Sequence, residues 1–240
     1  MKRIGAFTFV LHAHIPYCRR AGRWPHGEEW LHEAIAETYL PLLDALYDLH
    51  EQGIPARLTL SLTPVLADQL ADPLIQEHFI EYVIDRRGRA EQDVARFERE
   101  GNAHLRELAR FYVEFYDRRL RHFTGRYGRD LIRAFRQLQE AGVLELVTSA
   151  ATHGYLPLFS RDSSIRGQLR VGVQTYRRFF GRDPFSIWLP ECAYRPAYRL
   201  PDGTIRPGLE FFLAREGFRL FFAETHAVEG GRPAVSYTHL

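Results

Sequence analysis

Three histidines and one glutamate have the types and spacing for chemistry: His12 and His14 in "FVLHAHIPY", His153 in "TSAATHGYLPL", and Glu191 in "SIWLPECAYRP". Histidines two apart on a strand share one face, because side chains alternate there. Such a pair can ligate a metal through neutral imidazole nitrogens. It can equally grip a hydroxyl-rich ligand, since each ring offers one donor and one acceptor, or sit as two satisfied structural residues. Spacing alone leaves all three open. Glu191 ends an apolar run, and glutamate is seldom buried without a partner. It is therefore either an exposed loop carboxylate or a working group. Trp188 and Tyr194 flank it. Aromatic faces suit the apolar faces of sugar rings, although core packing explains Trp188 as well. Arg195 can hold the carboxylate ionised through a charge-assisted contact, or face solvent. Cys192 lacks an evident base and reads as a small hydrophobe. Glu224 and His226, in "FAETHAVEGG", add two further ionisable groups.

The flanking residues predict the elements that position these groups. "IGAFTFVLHAH" is β-branched and aromatic enough for a strand, closed by Pro16. "EEWLHEAIAETYLPLLDALYDLHEQG" has helical spacing, with Pro41 kinking or dividing it and Gly53 as its stop. "ARLTLSLTP" alternates as a second strand ending at Pro64. A mainly helical stretch spans about 65–142, and its centre is densely charged. Acids alternate with the arginines there, which favours a solvated helical insertion with i,i+4 pairs over a nucleic-acid surface. "VLELVTSA" is a third strand, "SSIRGQLRVGVQTYRRFFG" a helix capped at Ser163 or Ser164, and "FSIWLPE" a fourth strand. "RPGLEFFLAREG" is a helix and "FRLFFAET" a fifth strand. Alternating strand and helix predict a parallel β/α fold. In such folds chemistry gathers at the carboxyl ends of the strands, where His12, His14, His153, Glu191, Glu224 and His226 all fall.

Composition sets limits on function. With 45% hydrophobic and 26% charged residues, the 240-residue chain has the make-up of a soluble globular protein. A net charge of +2 suggests neither nucleic acid nor an anionic membrane as partner. Two cysteines, Cys18 and Cys192, are too few for a disulfide scaffold. The amino-terminal apolar run is too short and too soon interrupted by histidines for a signal peptide, and no stretch reaches the roughly 18 apolar residues of a membrane span. A cytoplasmic location is expected.

"FTFVLHAHIPY", "LELVTSAATHGYLPL", "WLPECAYRP" and "RPGLEFFLAREGFRLFFAETHAVEGG", in that order, resemble glycoside hydrolase family 57, and within it the 1,4-α-glucan branching enzymes. The likeness runs to about Pro233, and "WLPECAYRP" is its most specific block. It implies an α/β fold: an incomplete (β/α)7 barrel with a helical insertion at about 65–142, cut short before the last strands and the helical domains that follow. It implies a retaining mechanism on α-glucans such as amylose or glycogen, with no metal or other cofactor. Glu191 matches the family's nucleophile, and His12, His14 and His153 its active-site histidines, with Trp188 and Arg195 as further glucan contacts. The family's acid/base aspartate is expected beyond residue 240. Residues 234–240, "AVSYTHL", depart from the family pattern and are expected to be a truncated or non-native tail. Other classes compete: an α-amylase or 4-α-glucanotransferase of the same family, a metal-dependent carbohydrate deacetylase using the His-X-His pair, or a non-catalytic glucan-binding module.

Overall fold

The computed structural model describes Gly5, residues 7–224 and Ala227. His226 and the expected tail at 234–240 lie outside the described residues. The first strand, β1 (Val10–Ala13), leads to helix α1 (Glu28–Ala34), which passes through a π-helical turn at Ile35–Tyr39 into α2 (Leu40–Glu51). Strand β2 (Leu58–Leu62) precedes α3 (Pro64–Leu70), α4 (Pro73–Arg99), α5 (Ala103–Arg121) and α6 (Leu131–Glu140). Next come β3 (Leu144–Ser149), α7 (Asp162–Phe180) and β4 (Ser186–Trp188). A hairpin of β5 (Tyr198–Arg199) and β6 (Ile205–Arg206), helix α8 (Leu209–Arg215) and strand β7 (Leu220–Phe222) follow.

Local chemistry explains most of these boundaries. The side chains of Asp72, Asn102 and Asp130 accept backbone N–H bonds at the starts of α4, α5 and α6, satisfying donors with no partner inside the helix. Pro41 lies in the first turn of α2, where its missing N–H costs nothing. The helix is not broken at Pro41: Ala34, Ile35, Tyr39 and Leu40 all keep right-handed helical geometry, and the local irregularity is the π-helical turn just before the proline. Gly53 and Gly181 follow α2 and α7 in left-handed geometry, at φ +70° each, which glycine adopts without a Cβ clash. The predicted cap of α7 is corrected. The helix begins at Asp162 with Arg161 before it and no side-chain cap. An acid in the first turn suits the positive end of the helix dipole, and Asp162 also holds Arg206 Nε at 2.9 Å.

The chain divides into two compact units, Met1–Pro16 with Leu58–Val65 and Glu145–Leu240, and Tyr17–Arg57 with Leu66–Leu144. The first holds a five-stranded sheet in the order β1-β2-β3-β4-β7. Pairs β1–β2, β3–β4 and β4–β7 are parallel. His12 stands opposite Ser61, and Ser149 opposite Trp188. Ile165, Leu169 and Val173 of α7 pack with Ile187, Leu189, Phe212 and Phe218 into one buried cluster. The approach of α7 to β3 is close enough that a Cβ on Gly172 would lie 2.4 Å from the Ser149 carbonyl oxygen.

The second unit is helical. Phe79, Phe123 and Phe135 are fully buried in it, as are Leu31, Leu40 and Ile75. Asp44 accepts bonds from Arg119 Nη1, His122 Nδ1 and the Tyr127 hydroxyl at 2.7–2.8 Å, so this half-buried carboxylate is well partnered. The charged run on α4 carries i,i+4 pairs, Arg87 with Glu91 and Arg89 with Asp85.

Candidate active site

Period two on β1 sends His12 and His14 to one side, and the same period on β2 supplies their partners. His12 Nδ1 lies 3.1 Å from Ser61 Oγ and His14 Nδ1 3.2 Å from Thr63 Oγ1. Both hydroxyl residues are fully buried. His153 sits just past β3 in a turn closed by its N–H to the Ala150 carbonyl at 3.0 Å. Its ring stacks on those of His14 and His12, with centroids 4.0 and 5.0 Å apart. Trp188 ends β4, lies nearly parallel to His12 at 4.9 Å, and is backed by Phe222 at 5.3 Å. The Ser149 hydroxyl donates to the Trp188 carbonyl at 2.8 Å, tying the ends of β3 and β4 together.

Glu191 does not end a strand. It lies in a 3₁₀ turn at Pro190–Cys192 beyond β4, with φ +56° and ψ +26°, and Cys192 follows at φ +51°. His153 has φ +56° as well. Non-glycine residues in this region are uncommon and cost of order 1–3 kcal/mol each. Two such residues in succession aim the Glu191 carboxylate outward, where its side chain is 70% exposed and its Oε1 lies 3.6 Å from His153 Nδ1. The His153 side chain, by contrast, is 4% exposed, and its Nε2 is buried without a hydrogen-bond partner among the described residues.

Burial, and after it the neighbouring imidazoles, push His12 and His14 down to about 4. Burial lowers His153 too. All three rings are therefore neutral near pH 7, each with one donor and one acceptor nitrogen. A ligand meeting this cluster finds neutral hydrogen-bonding groups, one aromatic face and one carboxylate. Among the described residues, no three His, Cys, Asp or Glu side chains are placed to hold one metal ion.

His12, His14, His153, Trp188 and Glu191 thus come together, and Arg195 does not join the carboxylate. Its guanidinium lies over the Tyr198 ring at 5.2 Å and its carbonyl accepts the Leu209 N–H at 3.0 Å. Tyr194 likewise turns away, stacking on Phe221 at 5.7 Å and donating to Glu210 Oε2 at 2.7 Å. The Glu224 N–H donates to the Cys192 carbonyl at 3.1 Å, which fastens the chain after β7 to the Glu191 turn. Ser61, Thr63 and Ser149 were not anticipated as site residues. The available signal was the spacing of Ser61 and Thr63, the same two-residue period as His12 and His14.

A parallel sheet carrying its ionisable side chains at the carboxyl ends of the strands marks a β/α-barrel protein with its site on the strand-end face. The family model "Glycosyl hydrolase family 57" matches residues 8–238. The chain belongs to glycosyl hydrolase family 57, and its sheet is part of that family's barrel. It is 44% identical over 237 residues to a 1,4-alpha-glucan branching enzyme of Thermococcus kodakarensis, covering 97% of this chain and 34% of that protein. The crystal structure of a family-57-type branching enzyme from Pyrococcus horikoshii superposes with a TM-score of 0.85 at 45% identity, over 92% of this chain and 42% of that one. The alpha-amylase AmyC from Thermotoga maritima gives 0.76 at 32% identity, over 92% and 40%. The chain spans about a third of the length of the Thermococcus relative.

Proposed function

We propose that this chain is the front portion of a retaining 1,4-α-glucan branching enzyme, with Glu191 as nucleophile. The observation that carries the reading is the Glu191 carboxylate, held outward by a left-handed turn beside neutral imidazoles and the Trp188 face. Greater likeness to the branching enzymes than to the amylase supports branching over hydrolysis. A retaining enzyme needs two carboxyl groups about 5–5.5 Å apart. The ionised Glu191 attacks the anomeric carbon as the partner acid protonates the departing glucan oxygen, leaving a glucosyl ester. A glucan 6-hydroxyl then attacks the anomeric carbon of that ester, gives its proton to the partner carboxylate and displaces the Glu191 carboxylate. Water in place of that hydroxyl gives hydrolysis, so excluding water and seating the acceptor decide the product. His12, His14, His153 and Trp188 hold the donor glucan.

The same reading takes 1–233 as the beginning of the catalytic domain and 234–240 as a truncated or non-native tail, with the acid/base aspartate later in the full-length protein. It places the protein in the cytoplasm, acting on amylose- or glycogen-like glucans. Cys18 and Cys192 are free, and among the described residues no helix is long and apolar enough to cross a membrane. The test is Glu191→Gln in the full-length protein, assayed by iodine staining and chain-length analysis after debranching. Transfer and hydrolysis both fall at least about 10³-fold, because both pass through the same ester. Retention of either activity would overturn the assignment, and hydrolysis without new branches in the unmutated enzyme would favour the amylase.

A further inference from the structure

Ser61 and Thr63 repeat the spacing of His12 and His14 on the neighbouring strand, and each meets one imidazole at Nδ1. We propose that these two hydroxyls are positioning residues that fix His12 and His14 as Nε2–H tautomers, so that both rings present a hydrogen-bond donor to sugar hydroxyl oxygens. The inference rests on the reading that these histidines bind glucan.

The hydroxyl hydrogens decide the direction of each bond. Ser61 and Thr63 are fully buried, and the imidazole is the hydrogen-bond partner that the structure gives each side chain. A hydroxyl has one hydrogen to donate and lone pairs to spare. If Nδ1–H donated to the oxygen, the hydroxyl hydrogen would be left buried without an acceptor, at a cost of about 1–3 kcal/mol. With the hydroxyl donating to a bare Nδ1, both groups are satisfied. The ring proton then sits on Nε2, across the ring from β2. Two such pairs in succession make the choice doubly costly to reverse.

The backbone holds this arrangement. His12 is opposite Ser61 in the β1–β2 ladder, and the Thr63 N–H continues the ladder to the Ala13 carbonyl at 3.2 Å. Stacking of His12 on Trp188 and of His14 on His153 fixes the ring planes. Depressed basicity keeps both rings neutral, so a tautomer, and not an imidazolium, faces the ligand. Neutral donors at fixed positions select for oxygen acceptors without attracting anions.

The experiment uses the full-length protein with ring-15N histidine, the two signals being assigned through His12→Gln and His14→Gln. Long-range proton–nitrogen spectra at pH 7.5 should show Nε2–H at both rings. Thr63→Val, nearly the same shape, should give a mixture of tautomers at His14 and weaken maltoheptaose binding about three- to tenfold. Thr63→Ser should restore both. An Nδ1–H tautomer at either assigned ring in the unmutated protein overturns the inference. An unchanged His14 tautomer in Thr63→Val overturns it as well. A scrambled tautomer with unchanged maltoheptaose affinity supports the positioning role and instead overturns glucan binding by His14.

Discussion

Glu191 and His153 show how much a single residue's backbone contributes to this site. A carboxylate in "WLPECAYRP" is legible in the sequence, but its outward aim comes from two successive left-handed residues, which no side-chain type advertises. Histidine burial has a consequence that stability measurements can read. His12, His14 and His32 all titrate near 4, with burial as the first cause, against an ordinary value near 6.5. Between those values the unfolded chain binds more protons than the folded one, so stability rises with pH through the window and is lost as pH falls. His32 is 4% exposed and lies tilted against Tyr82, ring centroids 5.4 Å apart. It alone should cost about 2 kcal/mol between pH 7.5 and pH 5. Urea denaturation at several pH values should show this slope, and His32→Leu should reduce it by about that amount, His12 and His14 keeping their share. A profile indifferent to pH in both proteins would contradict the assignment of His32 as a buried neutral ring.

The elements themselves were largely legible, because strands and helices differ in hydrophobic period and proline and glycine mark their ends. The β5–β6 hairpin was missed. Its strands are two residues each, too short for a period, although "LPDGT" between them carries a turn signature. The start of α7 was misplaced because two serines look like caps, whereas the helix dipole is met by Asp162. The contact between α7 and β3 lies beyond any periodicity. Alanine in place of a helical glycine ordinarily stabilises by about 1 kcal/mol. At Gly172 the added methyl would meet the Ser149 carbonyl oxygen at 2.4 Å, and a strand backbone in mid-sheet does not yield cheaply. Gly172→Ala should therefore lose about 1–3 kcal/mol and lower the melting temperature. Because Ser149 also holds the Trp188 carbonyl, the strand-end face should loosen with it. An unchanged or raised melting temperature would show that α7 can retreat.

For the molecule as a whole, the reading of Glu191 as a nucleophile requires a second carboxyl group. On the proposed reading that group is an aspartate beyond residue 240. The isolated 240-residue chain should accordingly show little or no turnover of amylose with Glu191 intact, since general acid assistance typically supplies about 10²–10⁴-fold in rate. The full-length protein should branch amylose under the same conditions. Robust branching by the 240-residue chain would place the acid within it. Glu224 would then be the first residue to replace, because its N–H already joins the Glu191 turn at Cys192.

The sequence by itself determined the alternation of strand and helix, the helical insertion, the family and the residue types of the site. These are local or near-local properties, written in hydrophobic period, turn residues and short motifs. Only the tertiary structure decided that His153 stacks on His14, that Trp188 covers His12, that Arg195 and Tyr194 turn away, and that Ser61 and Thr63 stand behind the histidines. The reason is strand pairing. Residues 49 positions apart become hydrogen-bonded neighbours once β1 and β2 adopt one register, and a register belongs to two strands together and to neither sequence alone.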